Sequence, residues 1–260
     1  MLSWDLDSSN PLITPEAMLV YYRRLLGTEQ GDLELPDLVV ATFQRMALDH
    51  LVRAIGAEAP VRWPTPAFWP LARGNFRGRR LAVVRIPIGA PAAALALELM
   101  IAAGVRTILA VGSCGSLQPD LPVGSLVVAA EAVRHEGTSH HYLPADKPAT
   151  ASPGLVDALV SAALRHGMPK PAVGRCWTTD APYRECADTV ARQRASGTLA
   201  VEMEAAALYT VALHRGIHAA LVAAVSDELG DQWSPGFHTL AYRRGLLAAA
   251  DVALEAAESV

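Results

Sequence analysis

The chain reads as an α/β protein: one domain over residues 1–260, with three layers (α/β/α) around a mainly parallel, twisted central sheet. Three observations predict this. From Leu81 onward, short apolar runs of β-forming residues alternate with Ala/Leu-rich helical segments, the pattern of a sheet covered on both faces. The chain has 260 residues, and a domain of that size buries roughly 70–75% of its unfolded surface, so it needs no disulfide or metal staple. Hydrophobic residues make up 52% and charged residues 18%, which excludes intrinsic disorder.

The elements follow in order. Thr14-Pro15-Glu16 supplies an N-cap and a proline at the first helical position, opening a helix through Ala17–Leu26 that Gly27 stops. A second helix is expected from Asp37 to Ile55, with Leu38, Val39, Phe43, Met46, Leu51 and Ile55 on one face and Gly56 closing it. Residues 1–75 thus read as a divergent helical amino-terminal part. Trp63–Arg80 is rich in Pro, Trp and Arg and reads as a loop or a broken edge strand. Leu81–Ile88 is a strand, Pro91–Ala103 a helix, and Thr107–Val111 a buried strand ending in Gly112-Ser113-Cys114-Gly115. Ser125–Val133 is a strand and Pro153–His166 a helix. Ala200–Met203 and Ala219–Ser226 are strands flanking a helix over Glu204–His214, and a long helix over Pro235–Ala257 closes the chain.

Composition narrows the function classes. The net charge of −4 and a pI near 6.1 argue against nucleic acid as a partner, since phosphate backbones need a basic face. Cys114, Cys176 and Cys186 are odd in number and lack zinc-type spacing, which points to a reduced, cytoplasmic setting. The segment Met1–Asp7 is acidic, without the basic-then-apolar order of a signal peptide. No run of about 18 uncharged apolar residues is present to cross a membrane.

In a sheet of this kind, ligands gather outside the carboxyl ends of the strands. Gly112–Ser116 offers small residues, backbone N–H groups and hydroxyls for an anion or a sugar, or is simply a tight turn; it matches neither a P-loop nor a nucleophile elbow. Glu202 and Glu204 flank Met203 in an apolar stretch. On a strand they would share a face, where a carboxylate can accept from two adjacent hydroxyls of a diol; the competing role is charge compensation at a helix N-terminus. Asp227 ends the apolar run Ala219–Val225 and is either a proton donor or the cap of a turn. His135, His140 and His141 lie in one short segment without the spacing of a zinc protease, and read as the rim of a pocket rather than metal ligands. The tract Cys176–Glu185 combines hydroxyls, an acid and aromatics, and either covers a flat heterocycle or is a surface turn.

In this order, over about residues 81–250, these segments resemble the nucleoside phosphorylase family, which includes purine nucleoside phosphorylases, uridine phosphorylases and methylthioadenosine nucleosidases. The stretch Val201-Glu-Met-Glu-Ala-Ala-Ala-Leu-Tyr209 is the most specific piece. Ile88-Gly-Ala-Pro91, Val111-Gly-Ser-Cys-Gly-Ser116, Thr178-Thr-Asp-Ala-Pro-Tyr183 and Val225-Ser-Asp227 support it. The loop Glu136–Tyr142 is most similar to uridine phosphorylases, and Asp227 to the purine-cleaving members. The resemblance implies a nucleoside phosphorylase-like fold and the cleavage of a ribonucleoside by phosphate to free base and ribose 1-phosphate. Hydrolysis by water and a non-catalytic nucleoside-binding or storage role are the alternatives.

The resemblance also implies residue roles. Glu204, with Glu202 near it, would hold the ribose hydroxyls, and Met203 would pack on the sugar. Asp227 would protonate the departing base, which Tyr183 and the Thr179 loop would cover. Ser113, Gly112 and Gly89 would line the nucleophile side. It implies no metal or redox cofactor, inorganic phosphate as co-substrate, and a homo-oligomer. Two departures stand out. Ala110 occupies the position where bacterial phosphorylases of the family carry a phosphate-gripping arginine, and residues 1–75 lack their Gly-Asp-Pro-x-Arg loop. Arg73, Arg77, Arg134, Arg175 and Arg184 are the candidate substitutes.

Overall fold

Apolar runs become buried strands and Ala/Leu-rich runs become helices across most of the computed structural model, which describes residues 9–27, 33–57, 61–62 and 70–260. The acidic segment 1–8 and the Trp63 tract as far as residue 69 lie outside the described residues. In chain order the elements are α1 (Pro15–Leu26), β1 (Leu38–Thr42), α2 (Arg45–Ala54), β2 (Val61–Arg62), β3 (Pro70–Phe76), β4 (Arg79–Arg85), α3 (Ala90–Ala102), β5 (Thr107–Ser116) and β6 (Leu126–His135). They continue with β7 (Ala149–Thr150), α4 (Pro153–Arg165), β8 (Ala172–Thr179), α5 (Ala187–Ala195), β9 (Ala200–Glu202), α6 (Ala205–Arg215), β10 (His218–Leu229), β11 (Trp233–Pro235) and α7 (Leu240–Ala257).

The long ladders are parallel: β4–β1–β5–β10 on one side, and β6–β8–β9 on the other. Antiparallel pairing joins β6 to β10 and β9 to β5. The sheet is therefore mixed, and β10, β6, β8, β9 and β5 close into a ring. β1, β4, β3 and β2 extend from β5 as an open wing. Helix α1 packs on α3 and α3 on α6, while α2 and α4 pack on α7, giving one layer on each side. Glu98 of α3 binds Arg215 of α6 through two hydrogen bonds of 2.8 and 3.0 Å.

Several expectations are corrected. Asp37–Ile55 is not one helix. Leu38–Thr42 is a strand buried on both faces between β4 and β5, so its apolar residues run continuously and mimic a helical face when read together with α2. Of the two readings of Trp63–Arg80, loop or broken edge strand, the described residues 70–80 take the strand, as β3 and the start of β4. There is no turn at Gly112–Gly115, because β5 runs through to Ser116 on its pairing with β10. β8 and α5 are elements that the residue pattern did not reveal. The final helix starts at Leu240, where the Thr239 hydroxyl accepts from the Tyr242 N–H at 3.2 Å; Trp233–Pro235 pairs with β10 instead.

Candidate functional site

The carboxyl ends of β1, β5, β9 and β10 open on one cavity of about 910 Å³. Phe43 and Gln44 line it from the end of β1, Ser113, Cys114 and Gly115 from β5, and Glu202, Met203 and Glu204 from the β9–α6 junction. Ser226 and Asp227 line it from β10, Trp233 from β11, and Tyr183 and Glu185 from the segment before α5.

The two glutamates do different work. β9 ends at Glu202, so the strand alternation that would put both side chains on one face does not reach Glu204. Glu202 Oε2 accepts from the N–H groups of Glu204 (2.7 Å) and Ala205 (2.6 Å), and Oε1 accepts from the Thr178 hydroxyl. It closes the N-terminus of α6, where backbone donors lack partners and the helix dipole favours a negative charge. Burial pushes its carboxyl up, and these three hydrogen bonds pull it back. Glu204 occupies the N-cap position of α6 and accepts at Oε1 from the Gly89 N–H at 2.6 Å. Burial first, and then the Glu202 charge, raise its carboxyl above the ordinary range. Gly89 reaches it with φ +105°, a conformation that a Cβ would strain.

At the other end, β10 carries a bulge. Val225 pairs with Cys114 and Asp227 with Gly115, leaving Ser226 as the extra residue. The bulge turns Asp227 toward the cavity. Asp227 is buried; its Oδ1 accepts from the Ser226 hydroxyl at 2.7 Å and its Oδ2 from the Trp233 indole N–H at 2.8 Å. A Cβ on Gly115 would lie 3.2 Å from Asp227 Oδ2 and 2.5 Å from Leu229 Cδ1, so the absence of a side chain there is required.

Ser113 accepts at Oγ from Gln44 Nε2 at 3.0 Å. Gly112 is set back from the cavity lining, and a Cβ on it would lie 3.5 Å from Phe43 and 4.0 Å from Leu221. Thr179 is also set back: it is buried, and its hydroxyl accepts from the Ala181 N–H at 3.3 Å. Thr178, one residue earlier, makes the contact with Glu202. Tyr183 stands at the mouth, 99% exposed.

Of the five candidate arginines, none lines the cavity. Arg134 donates to Ser139 Oγ and to the carbonyls of Ser139, Leu143, Pro144 and Lys147, pinning its loop. Arg77 pairs with Glu255 and Glu258, Arg73 donates to the Glu34 carbonyl, and Arg175 to that of Ser196. In the histidine segment, His135 Nδ1 lies 3.0 Å from the Trp177 indole nitrogen, and among the described residues no three His, Cys, Asp or Glu side chains are placed to hold a metal.

Sequence reasoning missed Gln44, Glu185 and Trp233. Gln44 was hidden by the misread strand β1, whose carboxyl end would otherwise have marked it. Trp233, an aromatic six residues after the end-of-strand acid, was a signal only once a hairpin was recognised.

The model of the phosphorylase superfamily matches residues 38–258. The guanosine phosphorylase of Halorubrum lacusprofundi is 34% identical over 161 residues, 62% of this chain and 66% of that relative. The uridine phosphorylase of Thermococcus kodakarensis is 34% identical over 168 residues, 58% of this chain and 59% of that relative. The chain thus spans less than two thirds of the length of these two relatives. The crystal structure of a purine nucleoside phosphorylase from Toxoplasma gondii shares the fold, with a TM-score of 0.79 at 22% identity over 87% of this chain and 92% of that one. The chain belongs to the phosphorylase superfamily.

Proposed function

We propose that the cavity binds a ribonucleoside and cleaves its N-glycosidic bond with inorganic phosphate, releasing the free base and ribose 1-phosphate. One observation carries the reading: two buried acids, Glu204 and Asp227, face a single cavity from different strand ends, and the sugar end and base end of a nucleoside fit between them. Cleavage leaves positive charge on the sugar and negative charge on the base. Glu204, fixed by the Gly89 amide, accepts from the 2′- and 3′-hydroxyls and stabilises the cationic sugar, on which Met203 packs. The Asp227 end supplies a proton to the base, a service worth roughly 10²–10⁴-fold, and Tyr183 and Trp233 cover the heterocycle. Glu202 supports the site by holding the start of α6. Ser113 and Gln44 receive the nucleophile.

The acid at the base end favours purines, whose five-membered ring carries a nitrogen to protonate; relatives named guanosine and uridine phosphorylase support either base class. The reading needs no metal or redox group. It places the protein in the cytoplasm as a homo-oligomer, and none of the described helices is long and apolar enough to cross a membrane. A second reading rests on Ala110 and on the absence of the five candidate arginines from the cavity lining: water attacks in place of phosphate, and ribose is released. Incubation with guanosine, inosine, adenosine and uridine, with and without phosphate, tests both. Phosphate-dependent release of base and ribose 1-phosphate supports the first reading, phosphate-independent ribose the second, and no turnover of any nucleoside contradicts both.

A further inference from the structure

We propose that Glu185 and Asp227 work as a carboxyl pair holding one proton at the base end of the cavity, and that this proton is the one handed to the departing heterocycle. The inference rests on the N-glycosidic cleavage reading and assigns a role to a residue that the family motifs leave out.

Asp227 is poorly arranged to carry the proton by itself. Both of its oxygens are engaged by the protein, Oδ1 with Ser226 Oγ at 2.7 Å and Oδ2 with Trp233 Nε1 at 2.8 Å, which leaves neither free to turn toward a base. Glu185 follows the short turn Pro182–Arg184 and precedes α5. Its half-buried carboxyl lines the same cavity, and none of the described residues donates a hydrogen bond to it. The two carboxyls line one cavity and their charges repel, so a proton entering it favours the member that no hydrogen-bond donor compensates. Burial first, and the Asp227 charge second, raise Glu185 to about 7.

The surrounding groups reinforce this. Asp188 from α5, Asp231 from the β10–β11 turn, and Glu202 and Glu204 from the β9–α6 junction also line the cavity, and all are acids. Arg194 from α5 is the one cation among the lining residues, but its guanidinium donates to the carbonyls of Leu117 (2.8 Å) and Leu229. Tyr183 is turned to solvent.

In the reaction the C1′–N bond breaks with its electron pair going to the base. The carboxyl proton of the pair bonds to a ring nitrogen of the base, and a phosphate oxygen bonds to C1′. The pair then takes a proton back from solvent, balanced by the one that the new phosphate ester gives up.

The test compares wild type with Glu185→Gln on two substrates from pH 5 to 9, with folding followed by circular dichroism. One substrate is inosine, whose base must be protonated to leave. The other is 4-nitrophenyl riboside, whose nitrophenolate leaves as a stable anion. The wild-type kcat on inosine should fall as pH rises through about 7, because the protonated pair is the active form. In Glu185→Gln, kcat on inosine should drop about 10²-fold and that alkaline limb should vanish, with kcat on the nitrophenyl riboside unchanged. Full inosine activity with the same limb overturns the pair while leaving the cleavage reading intact. Equal loss on both substrates overturns it in favour of a structural role. A wild type that cleaves neither substrate removes the cleavage reading and the pair with it.

Discussion

Glu202 and Glu204 stand two residues apart, have the same side chain, and are each 5% exposed, yet their surroundings divide the labour completely. Glu202 accepts from two backbone amides and a threonine hydroxyl, so the protein itself uses its hydrogen-bonding capacity. Glu204 takes donation from the backbone of Gly89 and of Met203 and turns its remaining capacity to the cavity. Burial of a charge is costly unless partners compensate it. The acid whose compensation is incomplete is therefore the one waiting for a ligand. Depth alone does not separate scaffold from site; the donor inventory does.

The contrast can be broken residue by residue. The largest effect belongs to Glu204→Gln, which should lower kcat/KM on a ribonucleoside by about 10²–10⁴-fold, a loss of roughly 3–5 kcal/mol of transition-state stabilisation. The same variant should melt with wild type near pH 4 and keep that melting temperature as pH rises. Because the Glu204 carboxyl is raised in the folded protein, the native state binds more protons than the unfolded chain above the ordinary carboxylate range, and wild-type stability should fall as pH rises there. Differential scanning calorimetry from pH 4 to 9 checks this slope.

Glu202→Ala should invert the pattern. Losing the acceptor for two amides and a buried hydroxyl costs roughly 3 kcal/mol of stability, a drop on the order of 10 °C in Tm, and activity should fall only in step with the folded fraction. Gly89→Ala comes next. Positive φ makes a Cβ costly by about 1–2 kcal/mol, and displacement of the amide from Glu204 should reduce kcat/KM about tenfold, measurable in the same assay. The smallest effect is that of Gln44→Ala. Removing the donor on Ser113 Oγ should raise KM for phosphate by about five- to tenfold, the worth of one hydrogen bond, with kcat little changed.

What the residue pattern disclosed and what it concealed follow the same physics. Helices with caps were legible: Thr14, Pro15 and Gly27 bound α1 as their chemistry dictates. Buried strands flanked by polar residues, such as those containing Ala219–Val225, were legible too. β1 was not, because a strand buried on both faces loses its alternation, and the helix that follows extends its apolar run. β8 mixes Gly174, Arg175, Cys176 and Trp177 and gives no period at all. At the site, Glu202, Met203, Glu204, Asp227, Ser113 and Tyr183 line the cavity, whereas Gly112 and Thr179 do not. Trp233 and Glu185 were illegible because a hairpin and a short turn bring them in, and no spacing rule links them to Asp227.

The most direct test of the central claim, that Glu204 grips the ribose diol, is a comparison of kcat/KM for inosine and 2′,3′-dideoxyinosine in wild type and in Glu204→Gln. Hydrogen bonds to a charged group contribute roughly 1.5–3 kcal/mol each, so wild type should prefer inosine by on the order of 10²-fold or more. Any intrinsic lability of the dideoxy sugar cancels between the two proteins. The account expects most of that preference to disappear in Glu204→Gln. An undiminished preference in the variant would contradict it.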